Sequence, residues 1–415
     1  MPPSARSTLV PFAFVLSACH LGGGGSDVDH GSFDADVRFL GAHTPTIVLG
    51  EGSGPRVAVA PAWQGRVMTS TTGGAAESAP SFGWINYELI GSRKFVPHIN
   101  PFGGEDRFWL GPEGGQYAIF FAKGDPFDLQ HWQTPSLIDT EPYRVVSRSA
   151  DEVSFRTEGR LANYSGTTFD LAIDRTVRAL DRVTVAAALG VEDLGDLPVV
   201  AYESINTITN TGALPWTKET GLLSVWILGM FRHSDTTTVV VPVEPGDEVE
   251  LGPVVNDAYF GPVPPDRLVV DDGVIFFKGD GQRRSKIGVG PRRAKSNLGS
   301  YDPARGLLTL VQYTLPEGAR DYVNSMWEQQ DEPYAGDVVN SYNDGPPAPG
   351  KAPLGPFYEL ESSSPAAALA PGERLTHEHR TIHVRGTAAE LSDVAERVLG
   401  VTPPRIARVF GGIDS

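Results

Sequence analysis

The chain has 415 residues, of which 40% are hydrophobic, and its acidic side chains outnumber its basic ones by 51 to 34. The resulting formal net charge of −17 argues against nucleic acid or an anionic lipid surface as the partner, and it is compatible with a neutral or cationic small ligand. The single cysteine excludes a disulfide bond within one copy of the chain. The length is sufficient for a large buried core, and we expect a monomer that needs no cofactor.

The first residues are typical of a secretory signal. An apolar stretch from Leu9 to Leu16 is followed by small residues directly before Cys19, which is the pattern of a bacterial lipoprotein cleavage site. We therefore expect residues 1–18 to be removed, Cys19 to carry the lipid, and residues 19–33 to form a flexible, glycine-containing tether. An ordinary signal peptide with a chance cysteine is the alternative. By the sorting convention of lipoproteins, histidine after the lipidated cysteine favours the outer membrane.

Residues 34–386 are predicted to form one body of β-strands joined by turns. The predicted strands are 143–149, 153–158, 167–180, 182–190, 205–212, 236–243, 268–270, 274–277 and 307–315. They are rich in Val, Ile, Thr and aromatic residues, which fit a pleated, half-buried surface. Asp271-Asp272-Gly273 between two of them is a hairpin signal. Many strands with Gly and Pro turns indicate an all-β, mainly antiparallel sandwich or barrel rather than alternating β–α units.

One short helix is predicted in the C-terminal segment, residues 387–415. Thr387 is a good N-cap, and Glu390 lies three residues later, which together make a capping box. Apolar residues between Leu391 and Leu399 recur on one helical face, and Gly400 follows as a C-cap. We expect this helix to cover an open end or an edge of the sheets.

The glycine-rich run from Asn100 to Gln116 is the most informative stretch for function. Its two glycine pairs permit a tight backbone, and Trp109 offers a flat apolar face. The side chains of this run that could hold hydroxyl groups are those of Glu105, Asp106, Arg107 and Glu113. A sugar ring presents hydroxyls at its rim and C–H bonds on its faces, so this mixture predicts carbohydrate binding.

A second run, Phe357 to Pro365, contains two glutamates separated by one residue. The period of two in a β-strand puts Glu359 and Glu361 on the same face. Two ionised carboxylates side by side repel each other, so one of them should have a raised pKa unless a cation lies nearby. A general acid or base needs such tuning. A solvated strand face is the alternative interpretation.

A third run, from Asn324 to Tyr334, is dense in amides, carboxylates and aromatic rings, and it leads to a further polar run at 340–344. Such groups suit contacts with vicinal hydroxyls and stacking on a sugar face. The substrate-binding residues predicted from these runs are Trp327, Glu328, Tyr334 and Asn340. Lys218 is a further candidate, because an ammonium beside the carboxylates would keep them ionised. A polar surface loop is the alternative.

Two other clusters are notable. Six basic residues lie between Arg283 and Lys295, and we interpret them as a solvated loop, with contact to an anionic saccharide as the alternative. His377, His379 and His383 share one strand parity, and alternating histidines on a strand can share a metal. We expect a surface or cleft-lining role without metal instead.

These features together resemble the galactose mutarotase (aldose 1-epimerase) superfamily. The resemblance rests on the β-rich body, the Asn-rich strand 205–212, the late Glu-Leu-Glu run and the Pro-Gly-Glu element, and it covers roughly residues 35–386. The Gly-Gly-Glu-Asp-Arg-Phe-Trp-Leu-Gly-Pro-Glu and Phe-Tyr-Glu-Leu-Glu runs resemble, more closely, an uncharacterised family of bacterial lipoproteins within that superfamily. The resemblance implies a β-supersandwich with a sugar-sized cleft on one concave face.

In the epimerases a glutamate late in the chain acts as general base on the anomeric hydroxyl. The resemblance implies this role for Glu361, with Glu359 as the alternative register. Their general acid is a histidine in the middle of the chain, whereas this chain has none between the Asn-rich strand and His233. His98 and His131 are the candidates to substitute for it.

Two functions remain open from the sequence. The first is an envelope lipoprotein that binds a mono- or oligosaccharide without turnover. The second is a sugar-active enzyme, namely an epimerase, lyase or hydrolase, that uses Glu361 or Glu359 as base. A purely structural envelope protein is disfavoured by the clustered polar and aromatic residues. Fold resemblance does not decide between the two, because one fold hosts many functions.

Overall fold

The computed structural model describes residues 31–411 except positions 77 and 349. The predicted signal peptide, Cys19 and most of the predicted tether therefore lie outside the described residues. Within them, the helices are α1 (Phe33–His43), α2 (Tyr87–Ser92), α3 (Ser136–Asp139), α4 (Arg182–Leu189), α5 (Glu248–Leu251), α6 (Ser392–Leu399) and α7 (Pro403–Arg408), with a 3₁₀ turn at Pro61–Trp63. None of these helices is long and apolar enough to span a bilayer.

The strands are β1 (Ile47–Leu49), β2 (Arg56–Ala60), β3 (Arg66–Thr71), β4 (Arg107–Gly111), β5 (Arg144–Arg148), β6 (Glu152–Ala162), β7 (Thr168–Ala179), β8 (Val199–Asn210), β9 (Ser224–Arg232), β10 (Thr238–Pro242), β11 (Leu268–Asp271), β12 (Val274–Lys278), β13 (Ser285–Val289), β14 (Asn297–Asp302), β15 (Leu307–Tyr313), β16 (Val339–Asn343), β17 (Phe357–Ser363) and β18 (Arg374–Arg385).

The strands form three sheets in which the paired strands run antiparallel. A ten-stranded sheet has the order β11-β12-β10-β14-β15-β18-β8-β7-β6-β5, a five-stranded sheet has the order β13-β16-β17-β9-β4, and β1-β2-β3 form a small third sheet. The mainly antiparallel, all-β class predicted from the sequence is confirmed.

The five-stranded and ten-stranded sheets pack face to face. Phe108 of β4 shares a buried cluster with Ile173 of β7, and Leu360 of β17 shares a second one with Val311 of β15. These clusters draw apolar side chains from both sheets, so the main core of the protein lies between them. The five-stranded sheet is thereby buried on one face by the sandwich, and its other face is free to form a site.

The C-terminal helices cover the outer face of the ten-stranded sheet. Leu399 of α6 and Ile406 of α7 share a buried cluster with Phe276 and Leu310 of that sheet. The hydrogen bonds of the predicted capping box are present, because the Thr387 amide donates to Glu390 Oε2 at 2.8 Å and the Glu390 amide donates to Thr387 Oγ1 at 3.3 Å. They close a turn that leads into α6, whose N-cap is Leu391 rather than the predicted Thr387. The helix packs on the face of the sheet, however, rather than on an edge or an open end.

Two other local predictions have opposite outcomes. The Asp271–Gly273 hairpin is confirmed, since β11 and β12 pair around a turn in which Asp272 and Gly273 both have positive φ, 51° and 73°. The strand predicted at 182–190 is wrong, because this segment is helix α4. Asp181 caps the helix by accepting from the Thr184 amide at 2.7 Å, and a run of alanines favours helix over strand.

The three histidines of β18 lie inside the sandwich, so the predicted surface or cleft-lining role is wrong. His377, His379 and His383 are fully buried, and the first two contact the Ser362 hydroxyl, each at 2.8 Å. His383 Nε2 lies 3.0 Å from Glu105. Their common strand parity turns them toward the five-stranded sheet. Within residues 31–411 no group of three or more His, Cys, Asp or Glu side chains could hold a metal ion.

Burial lowers the pKa of His377 from 6.5 to about 3 and that of His379 to about 4. Both histidines are therefore neutral in the folded protein near pH 7, and in the unfolded chain they accept protons at a higher pH. Because the folded-state pKa is depressed, these groups contribute stability that is present above pH 6.5 and is lost as the pH falls toward 4.

We expect the substitution His379→Asn, which retains a group able to bond Ser362, to flatten this pH dependence. Each such histidine should remove about 2 kcal/mol of unfolding free energy between pH 7 and pH 5. Urea unfolding at several pH values measures the slope, and the surface variant His131→Gln is the control that should keep it. An unchanged slope in His379→Asn would contradict the assignment.

Candidate functional site

The outer face of the five-stranded sheet carries the candidate site. On β4, Phe108 and Leu110 belong to the sandwich core, whereas Arg107 and Trp109 line a cavity on the other side. The alternation of side chains along a strand produces this division. The charged and aromatic members of β4 therefore face the cavity because their apolar neighbours face the core.

Strand pairing brings residues that are distant in sequence into one row. Glu361 of β17 lies opposite Asn340 of β16 on one side and Leu228 of β9 on the other, and Leu228 lies opposite Arg107. In the next row, Glu359 lies between Tyr342 and Met230. The prediction that Glu359 and Glu361 share one face is confirmed, and that face is the one that carries the cavity.

The cavity has a volume of about 650 Å³, within the range of about 300–1,000 Å³ typical of small-molecule sites. Four tryptophans line it: Trp109, Trp132, Trp226 and Trp327. Their rings pack on one another, with centroids 5.5 Å apart for Trp109 and Trp226 and 5.9 Å apart for Trp132 and Trp327. The indole nitrogens of Trp109 and Trp132 are buried without a hydrogen-bond partner among the described residues. The cavity thus combines large apolar ring faces with unused polar groups.

A buried ion pair lies beside the cavity. Lys286 Nζ of β13 lies 3.0 Å from Glu361 Oε2, and the same oxygen accepts from Trp226 Nε1 at 2.9 Å. The Lys286 ammonium also lies 4.7 Å from the Trp226 ring. Glu361 Oε1 has no partner within the described part of the chain. Glu361 itself is fully buried and does not line the cavity, whereas both of its partners, Lys286 and Trp226, do.

A second ion pair lies beside the first. Arg107 Nη2 lies 3.1 Å from Glu359 Oε1, and its guanidinium carbon lies 4.1 Å from the Trp109 ring centroid. Burial raises the pKa of Glu359 well above its usual range, and the charge of Glu361 raises it further, while Arg107 and Lys286 act in the opposite direction. The two neighbouring carboxyl groups therefore lie in different environments, as acid–base chemistry requires.

Two further carboxyl groups line the cavity. Burial and the charge of Glu361 raise the pKa of Glu113, against Lys286 and a hydrogen bond from the Trp327 side chain. Burial likewise raises the pKa of Asp344, which accepts from Tyr342 Oη at 2.7 Å and from the Gly355 amide at 2.8 Å. Burial therefore disfavours the charged forms of Glu113 and Asp344, two carboxyl groups beside the ion pairs.

His98 lies at the cavity wall in the left-handed backbone region, with φ of 73°. Its Nδ1 lies 2.6 Å from the Trp132 carbonyl oxygen, which only accepts, so Nδ1 carries a proton. This contact fixes the tautomer and leaves Nε2 of the neutral ring as an acceptor. Among the described residues that line the cavity, His98 is the only histidine.

A small chamber adjoins the cavity behind Trp226. Its volume of about 10 Å³ is close to what one water molecule needs. Asn340, Asp337 and Ser224 line it together with Lys286. Asn340 therefore does not line the main cavity, although it was predicted to bind substrate, and its amide donates to Tyr259 Oη and to the Ile287 carbonyl, each at 3.2 Å.

The structure places Glu105 and Asp106 inside the protein, so their predicted substrate contacts are wrong. The Ser70 amide donates to Glu105 at 2.6 Å, and Asp106 forms a fully buried ion pair with Arg175 at 2.6 Å. Asp106 has the parity of Phe108 and Leu110, so the alternation of β4 already directs it toward the ten-stranded sheet. Glu105 has the parity of Arg107, but the Met230 amide donates to the Gly104 carbonyl, one residue out of register with the regular pairing of β4 and β9, so the alternation does not extend to Glu105.

Four other predicted residues also lie away from the cavity lining: His131, Lys218, Glu328 and Tyr334. The His131 ring contacts Asp128 at 2.7 Å, and Lys218 forms a half-exposed ion pair with Asp321 at 2.7 Å. The Tyr334 ring stacks on Tyr117 at 6.0 Å, and Glu328 is exposed. These residues have the polar and aromatic character typical of a sugar subsite, but the backbone directs their side chains away from the cavity.

The cation that pairs with Glu361, Lys286, was not predicted from the sequence. The basic run between Arg283 and Lys295 was interpreted as a solvated loop, which is wrong for Lys286, since it is buried on β13. Arg293 is also buried, and Arg284 lines the cavity with its guanidinium carbon 3.9 Å from the Phe260 ring centroid. The sequence Ser-Lys-Ile-Gly-Val of β13 alternates, so Lys286 and Ile287 lie on opposite faces of the strand. This alternation is the sequence pattern that could have placed Lys286 on a strand rather than in a solvated loop.

The chain belongs to a family of unknown function, DUF6786, whose model matches residues 31–410. No curated protein matches it. Its structural neighbours include galactose mutarotase-like and aldose 1-epimerase proteins.

Two of these solved structures illustrate the similarity. A galactose mutarotase-like protein from Lactobacillus casei ATCC 334 has 14% identity and a TM-score of 0.45, over 82% of this chain and 99% of that one. A galactose mutarotase related enzyme from Lactobacillus acidophilus has 9% identity and a TM-score of 0.45, over 83% and 98% of the two chains.

The Lys286–Glu361 pair yields a stability prediction. Lys286→Met and Glu361→Gln each leave one partner without its counter-charge, and for a buried charge this costs about 3–5 kcal/mol of unfolding free energy. We expect the double variant to lose clearly less than the sum of the two single variants, as measured by urea unfolding.

The exposed pair Arg397 and Asp393 of α6 serves as the control cycle, and its members should show no resolvable coupling. Strict additivity in the Lys286 and Glu361 cycle would show that the two groups do not interact as the geometry indicates.

Proposed function

We propose that the protein binds a carbohydrate in the cavity on the outer face of the five-stranded sheet. One observation carries the proposal: four tryptophan rings and two carboxylate–cation pairs, Arg107–Glu359 and Lys286–Glu361, line or adjoin the same cavity on one sheet face. Aromatic faces suit the C–H faces of a sugar ring, and carboxylates and cations suit its hydroxyls. The indole N–H groups of Trp109 and Trp132, which line the cavity, are unpartnered polar groups that a sugar hydroxyl could satisfy.

The charges of the site favour a neutral or zwitterionic head group. Arg107 and Lys286 are each engaged by a glutamate, and Glu113 and Asp344 add carboxyl groups whose pKa is raised by burial. Arg284 also lines the cavity, against the Phe260 ring, so one cation of the lining is not engaged by Glu359 or Glu361. We therefore expect a sugar that binds mainly through its hydroxyls, with Arg284 as the group that could balance an anionic substituent.

A sugar-active enzyme is the second candidate, and a specific observation favours it. Glu361 is oriented by Lys286 and Trp226, while neighbouring Glu359 and nearby Glu113 have raised pKa values. A carboxylate held in place beside carboxyl groups whose pKa is raised by burial is an arrangement for general acid–base catalysis. In this candidate Glu361 is the base, with Glu359 as the alternative, Glu113 supplies the proton, and His98 Nε2 accepts a hydrogen bond from a sugar hydroxyl.

The cellular location is a separate proposal that rests on the sequence alone. We propose that Cys19 carries a lipid that anchors the protein in the cell envelope, at the outer membrane, because small residues precede this only cysteine after an apolar stretch. Metabolic labelling with palmitate, lost in Cys19→Ser, is the check.

We expect binding to depend on Trp327 and not on Tyr334, although both belong to the same polar run. Trp327 lines the cavity and Tyr334 does not, so Trp327→Leu should weaken sugar binding by about tenfold, the equivalent of one lost ring contact, while Tyr334→Leu should leave it unchanged. A thermal-shift screen of mono- and oligosaccharides identifies a sugar, and calorimetry then measures the variants.

The same sugar, followed by NMR of its anomeric protons, separates binding from turnover. Exchange or cleavage that disappears in Glu361→Gln would establish the enzyme, and a bound but unchanged sugar would establish the binding protein. If no sugar stabilises the protein, or if Tyr334→Leu weakens binding as much as Trp327→Leu, the proposed cavity is not the site.

A further inference from the structure

Exposed apolar side chains collect at the mouth of the cavity. Val96, Leu129, Phe260 and Leu354 all line it, and each is between 40% and 56% exposed. Phe95, next to Val96, is 67% exposed. Scattered exposed apolar residues are ordinary on a protein surface, but a contiguous group around a concave site marks a place where something binds.

These side chains come from four loops that are far apart in sequence, so no single hydrophobic segment explains their meeting. Local contacts hold each loop in place. The Val96 amide donates to Asn100 Oδ1 at 2.8 Å, and the His98 ring ties this loop to the Trp132 carbonyl close to Leu129. The Phe260 ring lies against the Arg284 guanidinium at 3.9 Å.

The loop that carries Leu354 is also fixed, because the Gly355 amide next to it donates to Asp344 Oδ2 at 2.8 Å. The mouth is therefore built of positioned side chains rather than of a loose loop. This matters for binding, since a preorganised apolar surface loses little conformational entropy when a ligand covers it.

The floor of the cavity has the opposite character. Glu359, Arg107 and Trp109 are at most 5% exposed and carry charge or an indole nitrogen. A ligand that fills the cavity thus meets polar groups at its inner end and hydrocarbon at its outer end. A plain oligosaccharide would place its outer part against Leu129, Leu354 and Phe260, with Asp128 and Arg284 as the charged groups beside them, and would leave these apolar side chains covered by hydroxyls rather than by hydrocarbon.

We propose that the ligand is an amphiphilic glycoside, whose sugar lies on the polar floor and whose alkyl or acyl substituent lies along the apolar mouth formed by Val96, Leu129, Phe260 and Leu354. This inference rests on the proposed carbohydrate binding and specifies the class of ligand. The apolar substituent gains free energy by covering side chains that are otherwise in water. The sugar supplies the hydroxyls that the floor requires.

The test compares matched pairs of methyl and n-octyl glycosides of glucose, galactose and mannose by calorimetry, with the octyl glycosides below the concentration at which they form micelles. The octyl compound adds seven methylene groups, and their partial burial should tighten binding by roughly tenfold or more relative to the methyl glycoside. The sugar preference should be the same in both series.

The variant Leu129→Ser/Leu354→Ser should abolish most of this gain while leaving the affinity for the methyl glycoside unchanged. Both residues are exposed, so the variant should fold. Leu214→Ser is the matched control, because Leu214 is 77% exposed and does not line the cavity, and it should keep the full gain.

The outcomes distinguish this inference from the proposed function. Equal affinity for methyl and octyl glycosides would overturn the amphiphile and leave carbohydrate binding intact. Binding of n-octyl sulfate as tightly as of every octyl glycoside would show that the sugar is not recognised, which overturns the proposed function. Sedimentation with vesicles of phosphatidylcholine alone, lost in the double variant, would make the mouth a membrane contact and would also overturn the inference.

Discussion

The alternation of side chains across the five-stranded sheet is the constraint on which the rest of this structure depends. Each of its strands must supply apolar groups to the sandwich and, from the intervening positions, whatever faces outward. Phe108, Leu360 and Ile287 meet the ten-stranded sheet, so Arg107, Glu359 and Lys286 are directed to the opposite face. The packing of the core therefore fixes which side chains face the site. A one-residue shift in the register of any of these strands would turn its charged side chains into the core and its apolar side chains toward the cavity.

Burying charges on that outer face costs free energy, because the groups lose their hydration. A gain in stability therefore does not explain why these charged residues lie there. A buried ion pair often contributes less than well-packed hydrophobic residues of the same volume. Here the Arg107–Glu359 and Lys286–Glu361 pairs lie side by side, and Trp226 and Trp109 pack against the two cations. Groups held this rigidly need no reorganisation when a ligand arrives, which is the usual physical advantage of a preorganised site.

Features of the fold and the site that depend on a few neighbouring residues could be predicted from the sequence, whereas features that depend on the pairing of distant strands could not. The Asp271–Gly273 hairpin and the Thr387 capping box follow from a few adjacent residues, and the shared face of Glu359 and Glu361 follows from the period of a strand. Lys286 could not be assigned to Glu361, because their meeting requires the pairing of β13, β16 and β17, which no local pattern specifies. Asp106 has the parity of Phe108, so strand alternation alone places it inside, whereas Glu105 could not be placed from the sequence, since a register shift at Gly104 interrupts the alternation that reaches Arg107 and Trp109.

The central claim is that a sugar occupies the cavity over the five-stranded sheet, and ¹⁹F NMR of protein labelled with 5-fluorotryptophan tests it directly. The chain has seven tryptophans, of which Trp109, Trp132, Trp226 and Trp327 line the cavity, while Trp63 and Trp216 are buried and do not line it. Resonances are assigned by single Trp→Phe variants. Titration with a sugar that stabilises the protein should shift the resonances of the four cavity tryptophans and leave those of Trp63 and Trp216 in place. Shifts confined to Trp63 or Trp216, or none at saturation, would contradict the account.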